Sequence, residues 1–262
     1  MGTSNSSKGP GPRTPLVPSW LGNPDPKSTP PDIPPQRFRY PKGEFTRFIN
    51  SGGHDRHHLG RALSDYVTNS TGGAANAARR MGAATVTASS LLHLLSNIRD
   101  EGAEEALKTL NLEGLAHQPI QKVFEALADA LCPDGGRIDE GIAREAFSAV
   151  LGDLDQLDIK DLEDIEETHI ESILETFIWR SIELRILNDI GIRIVDLPTD
   201  AKAVQRIESE VGAFVQGAVR DAIAHELQHS NDLSAKQAQR IIEKIYSAAF
   251  ELIRAYGERE DK

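Results

Sequence analysis

Eleven of the chain's 14 prolines fall within its first 42 residues, and no other feature limits the fold as strongly. Proline fixes φ and carries no amide donor, so this stretch can build neither a helix nor a central strand. It is expected to form an extended arm over residues 1–42, partly polyproline II, ordered only where something holds it. Within it lies one apolar cluster, Pro15, Leu16, Val17, Pro18, Trp20 and Leu21. A Trp left in water gains nothing, so the cluster is expected to anchor the arm in a groove of the body or of a partner.

Beyond residue 42 the apolar residues follow the helical period. Phe45, Phe48 and Ile49 stand at i, i+3, i+4, and Leu59, Leu63 and Tyr66 resume that spacing after Gly52-Gly53. Thr71-Gly72-Gly73 is expected to open an Ala-rich helix, and Asp139 to cap a helix carrying Ile142, Ala146, Phe147 and Val150. Long stripes follow over about 164–189 and 204–222, and Ser234-Ala235-Lys236-Gln237 forms a capping box before the last one. Only Ile192–Val195 alternates like a strand. Aromatic residues make up 5% of the chain, so the core must be built mainly from Leu, Ile, Val and Ala. The expected fold is all-α: a multi-helix globular domain over 43–257, or two helical halves at about 43–152 and 160–257, behind the extended arm.

The net charge of −11 divides unevenly, with 11 Lys/Arg against 5 Asp/Glu in residues 1–89 and 18 against 35 in the rest. An acidic body argues against broad nucleic-acid binding, which needs basic surface to neutralise phosphates. A single cysteine, Cys132, excludes an internal disulfide. No run approaches the ~18 apolar residues of a membrane span, and the start of the chain does not resemble a signal peptide. The cytoplasm is the expected address.

Several motifs bear on chemistry. His225-Glu226-Leu227-Gln228-His229 is an H-E-x-x-H sequence. Residues four apart share a helical face, so His225 and His229 could ligate zinc while Glu226 acts as general base; Glu243 or Glu251 would supply a third ligand. Polar Ser230-Asn231-Asp232 follows, and no Gly-x-x-His extends the motif. The plainer reading is a stripe of helical residues running to its frayed end. His54, His57 and His58 form a second cluster; His54 and His58 could share a face and bind metal, but a solvated helix start is the commoner explanation for such a run. Ser70-Thr71-Gly72-Gly73 with Arg79-Arg80 suggests an anion site at a helix N-terminus, without the lysine of a nucleotide hydrolase. Cys132 is read as structural. Removal of Met1 would expose the amine of Gly2 on a flexible arm whose next residues, Thr3 and Ser4, are small. Such a terminus is shaped to enter an enzyme's active site.

Taken together, Met1-Gly2-Thr3-Ser4, Pro15-Leu16-Val17-Pro18-Ser19-Trp20, Ser70–Gly82, Leu131–Glu140 and Leu187–Gly191 resemble the QatB family of bacterial Qat anti-phage defence systems. The likeness spans most of residues 1–222, and the C-terminal part carrying the H-E-x-x-H lies outside it. The resemblance implies a KAP-type ATPase, a TatD-like nuclease and QatC, a homologue of 7-cyano-7-deazaguanine synthase, as companions. It further implies that QatC binds the arm through Gly2, Thr3, Ser4, Pro15, Leu16, Val17, Pro18 and Trp20, and conjugates a deazaguanine group to Gly2. The chain itself would then be non-catalytic and hold no cofactor, with ATP and the deazaguanine precursor belonging to the partner. A zinc-dependent hydrolase and an unmodified structural adaptor are the alternatives.

Overall fold

Helix begins sooner than the prolines suggest. In a computed structural model, which describes residues 36–132, 137–157, 159, 161–191, 200–227 and 234–260, α1 runs Arg39–Asn50 and takes Pro41 into its first turn. There the missing amide would have had no intrahelical partner, so proline is tolerated. The expected exclusion of helix from residues 1–42 therefore fails at Arg39. The rest of the proposed arm, residues 1–35, and the strand expected at Ile192–Val195 lie outside the described residues.

The helices that follow are α2 Arg56–Asp65, α3 Ala74–Arg79, α4 Gly82–Glu101, α5 Ala103–Lys108, α6 Ile120–Leu131, α7 Ile138–Asp153, α8 Glu167–Ile190, α9 Ala201–Leu227 and α10 Ala235–Glu260. No strand occurs among the described residues, so the protein is all-α as expected. Two starts depart from the sequence reading. The expected Asp139 cap is not used: α7 already begins at Ile138, and Glu140 Oε2 accepts the Arg137 amide at 2.9 Å. The Asp139 carboxylate is drawn away by Arg185. At α10, the Gln237 side chain accepts the Ser234 amide at 3.1 Å, and the serine hydroxyl donates to the same oxygen at 2.6 Å.

Helix α10 packs against α2, α3, α4 and α9, while α8 packs against α4, α7 and α9. One hydrophobic core includes residues from all ten helices, with Phe124, Phe147 and Phe177 in edge and tilted contact at its α6–α7–α8 side. Phenolic Tyr246 is wholly buried and shares a 2.8 Å hydrogen bond with Ser181, which satisfies both hydroxyls inside the core.

Where α2 crosses α10 the backbones touch. A Cβ on Gly60 would lie 2.8 Å from the Glu260 Cβ, and one on Gly257 would lie 2.9 Å from the Ser64 Cβ and press on the Gly60 carbonyl. Gly257→Ala is therefore expected to destabilise the protein by about 1–3 kcal/mol through forced separation of the helices. Gly141, on the exposed side of α7 with nothing within 4 Å of its virtual Cβ, provides the contrast. Gly141→Ala should stabilise by about 0.4–1 kcal/mol. Urea unfolding followed by far-ultraviolet circular dichroism distinguishes the two directions.

Candidate functional site

The chain leading into the Ser70–Gly82 stretch folds into an unusual local structure. After α2 the chain widens into a π-helical turn, Tyr66–Ser70. Its end is closed by the Thr71 amide on the Tyr66 carbonyl at 3.0 Å and the Gly73 amide on the Val67 carbonyl at 2.8 Å. Gly72 and Gly73 follow at φ +76° and +103°, a reversal that side chains with a Cβ resist. π-helical turns are rare and are often found at functional sites. Here the reversal launches α3, only six residues long, whose end delivers Arg80.

Arg80 meets Asp189, near the end of α8, with Nη2 2.6 Å from Oδ2. The Asp189 side chain is 8% exposed, so its charge requires partners, and the Tyr66 hydroxyl supplies a second one by donating to the same oxygen at 2.9 Å. Burial and the adjacent carboxylate both push the Tyr66 phenol well above its ordinary pKa. Arg185, one turn earlier on α8 and itself buried, donates to the Arg80 carbonyl at 3.1 Å and to Asp139 at the start of α7. Its Nε has no hydrogen-bond partner among the described residues.

This cluster grips the point where the N-terminal residues join the body. Phe38 lies 6.0 Å from the Tyr66 ring at an interplanar angle of 20°. The guanidinium groups of Arg37 and Arg80 lie over its ring, 4.6 and 5.5 Å from the centroid. The Ser70 hydroxyl donates to the Arg37 carbonyl at 2.7 Å. Three stretches widely separated in sequence, around residues 66–82, 137–140 and 185–191, thus meet at the root of the N-terminal segment. Sequence reasoning picked out these stretches but missed their meeting, and it missed Phe38, Tyr66 and Asp189 as functional residues. The only advance sign was a run of aromatic and basic residues, Arg37-Phe38-Arg39-Tyr40.

The other predicted sites fare differently. At the expected anion site the side chains have partners within the protein: Arg80 pairs with Asp189, Arg79 donates to Asn76, and the Thr71 hydroxyl donates to the Val67 carbonyl at 2.8 Å. The three histidines of the second cluster point to separate partners. His54 Nε2 lies 2.7 Å from Arg206 of α9, His57 Nδ1 lies 3.0 Å from the Glu260 carbonyl, and His58 Nδ1 lies 2.7 Å from the buried Glu44 of α1. Their ring nitrogens bond to three different helices, α9, α10 and α1. Cys132 is buried, and that burial pushes its thiol pKa up, in keeping with a structural residue.

In the H-E-x-x-H sequence, α9 ends at Leu227 and His229 lies outside the described residues. The His225 side chain is 83% exposed and contacts Glu226 at 3.2 Å. Glu226 faces Lys244 at 3.8 Å, Glu243 accepts from Gln239 at 2.9 Å, and Glu251 pairs with Arg254. Glu226 and Glu251 line one shallow cleft beside Gly72–Asn76. Among the described residues, no three His, Cys, Asp or Glu side chains form a group that could hold a metal ion. Gly2, Thr3, Ser4, Pro15, Leu16, Val17, Pro18 and Trp20 all lie outside the described residues.

An all-helical body that clamps the root of its own N-terminal segment is the class of protein this geometry defines. A family model for the Qat anti-phage system associated protein QatB matches residues 72–253. The chain belongs to the QatB family, and with it to the Qat anti-phage system. The match reaches past the H-E-x-x-H sequence, further than the resemblance to about residue 222, and leaves residues 1–71 uncovered. No curated protein and no solved structure gives a significant match. No helix among the described residues is long and apolar enough to cross a membrane.

Asp189→Ala should cost about 2–4 kcal/mol, because it strands Arg80 and the Tyr66 hydroxyl together; urea unfolding reads this loss. Tyr66 and Tyr246 both have raised phenol pKa values, chiefly from burial. Each keeps its proton in the folded state above the ordinary phenol value, while the unfolded chain releases it. Stability is thus complete below about pH 10 and falls above it by about 1.4 kcal/mol per pH unit per tyrosine. Stability measured from pH 8 to 11 should show that decline, and Tyr66→Phe should make it shallower.

Proposed function

We propose that this protein is a non-catalytic helical scaffold of the Qat defence system, working in the cytoplasm, whose N-terminal Gly2 is the substrate of a partner enzyme. The observation that supports this reading is the cluster of Phe38, Tyr66, Arg80, Asp189 and Arg185 at the root of the N-terminal segment. A substrate arm is useful when one end is held and the other is free to reach. The clamp holds the end at Arg37-Phe38, and a proline-rich sequence such as that of residues 1–35 suits a semi-rigid spacer.

The partner is a 7-cyano-7-deazaguanine synthase homologue of the QatC type. It joins ATP to the carboxylate of a deazaguanine precursor, releasing pyrophosphate. The Gly2 amine then attacks the activated carbonyl, an amide bond forms, AMP leaves, and the amine loses its proton. Glycine suits this step because no side chain crowds the nucleophile, and Thr3 and Ser4 can follow it into a narrow pocket. Leu16, Val17 and Trp20, with Pro15 and Pro18, provide the apolar contacts that set affinity. A KAP-type ATPase and a TatD-like nuclease complete the assembly, and ATP and the precursor are the partner's ligands.

Mass spectrometry of the intact chain and its N-terminal peptide, after expression with and without the synthase homologue, tests the reading. The expected result is a mass added at Gly2 only in the joint expression, and its loss, together with phage protection, in Gly2→Leu, which also retains Met1. An unmodified Gly2 beside an active partner would leave an unmodified adaptor, or the H-E-x-x-H chemistry, to be tested by metal analysis.

A further inference from the structure

We infer that the solvent face of α1 is a second docking surface, made for an acidic patch on the protein that takes the arm. The inference rests on the reading that a partner protein engages the N-terminal segment, and it adds where on the folded body that partner sits.

The face is defined by burial. Pro41, Glu44, Phe45, Phe48 and Ile49 of α1 are buried, while Arg39, Tyr40, Lys42, Gly43, Arg47 and Asn50 are exposed. The only carboxylate of the helix, Glu44, is turned inward, where Arg47 and His58 bind it at 2.6 and 2.7 Å. The charged residues exposed on the outer face, Arg39, Lys42 and Arg47, are therefore all cations, with Arg47 paired to Glu44. Tyr40 is 46% exposed, one of three large hydrophobic side chains so placed among the described residues. It is not loose: Arg61 of α2 donates to its hydroxyl at 2.5 Å and lies 5.9 Å from its ring centroid. An exposed tyrosine held rigid by an arginine, with cations around it, has the composition of an interface anchor. Asp65 and Glu258 lie across a small cleft from Tyr40, which limits the cationic surface to α1 and Arg61.

Charge along the chain indicates the kind of occupant. Residues 36–61 carry six Lys/Arg against two Asp/Glu, net +4, whereas residues 62–262 carry 20 against 36, net −16. A long polyanion such as duplex DNA would gain contacts at α1 but be repelled by the remaining surface. A folded partner with a local acidic patch avoids that repulsion. Order along the chain points the same way, because residues 1–35 precede α1 by only three residues, so a protein holding the arm is tethered to the start of this helix.

The test is binding of the full-length chain to the synthase homologue by biolayer interferometry, at low and high salt, with Gly2 modification followed in parallel. Arg39→Glu/Lys42→Glu is the main variant. Both residues lie in the first turn of α1, where acidic side chains suit the helix dipole, so the fold should tolerate it. A matching melting temperature checks this. At low salt the variant should bind about 10-fold more weakly or worse, with the gap shrinking at high salt, and Arg39→Gln/Lys42→Gln should fall between. Tyr40→Ala should weaken binding about 10-fold at either salt. Equal binding by wild type and all variants, with Gly2 still modified, overturns the α1 surface and leaves the modification reading intact. Binding that depends on α1 with Gly2 untouched supports the surface and overturns the modification. No binding by the wild-type chain overturns both. Capture of a 20-base-pair DNA duplex by wild type, lost in the double variant, overturns the choice of an acidic protein.

Discussion

A carboxylate that is 8% exposed cannot be left to itself, and the region around the N-terminal root is arranged by that requirement at Asp189. Its charge holds Arg80 and the Tyr66 hydroxyl, so the end of α3 and the start of the π-turn are tied to the end of α8. Arg185 extends the network to the Arg80 carbonyl and to Asp139 at the head of α7. Breaking one link leaves the next polar group buried without a partner, which is why such networks behave as units. The aromatic contact of Phe38 on Tyr66 and the two guanidinium groups over Phe38 then build outward from this anchor.

Opposite charge requirements govern the two sides of α1. Inward, Glu44 is held by Arg47 and by His58 of α2, which joins the first two helices at a polar contact. Outward, that same burial removes the only negative charge and leaves Arg39, Lys42 and Tyr40 facing solvent. The packing of the helix pair and the character of the exposed face are thus one fact seen from two directions. The histidines near α2 serve the first purpose, each bonded to a different helix, so their closeness in sequence does not gather them in space.

Membership of the QatB family locates the protein in anti-phage defence. The uncovered residues 1–71 include the arm, α1, α2 and the whole π-turn, which carry Gly2, Tyr40 and Tyr66. The matched region supplies Arg80, Asp139, Arg185 and Asp189. The clamp therefore joins the region matched to the family with the region outside it, and the proposed modification and docking both fall on the unmatched side.

Much of the body was legible in the sequence, because helix formation is local. The period of Phe45, Phe48 and Ile49, the stripes of α8 and α9, and the two glycines before α3 each report on neighbours three or four residues away. Two local expectations failed, one through a long-range contact and one through the local geometry of a helix start. Asp139 was expected to cap α7, but a buried arginine 46 positions away holds its carboxylate, and Pro41 entered a helix because first-turn amides need no partner. What only the tertiary structure decided was the meeting of Tyr66, Arg80, Asp139, Arg185 and Asp189. Their pairings span up to 123 residues, and no periodicity carries information over that distance. Periodicity identifies which residues must be buried; the packing of the helices determines which of the buried charges find one another.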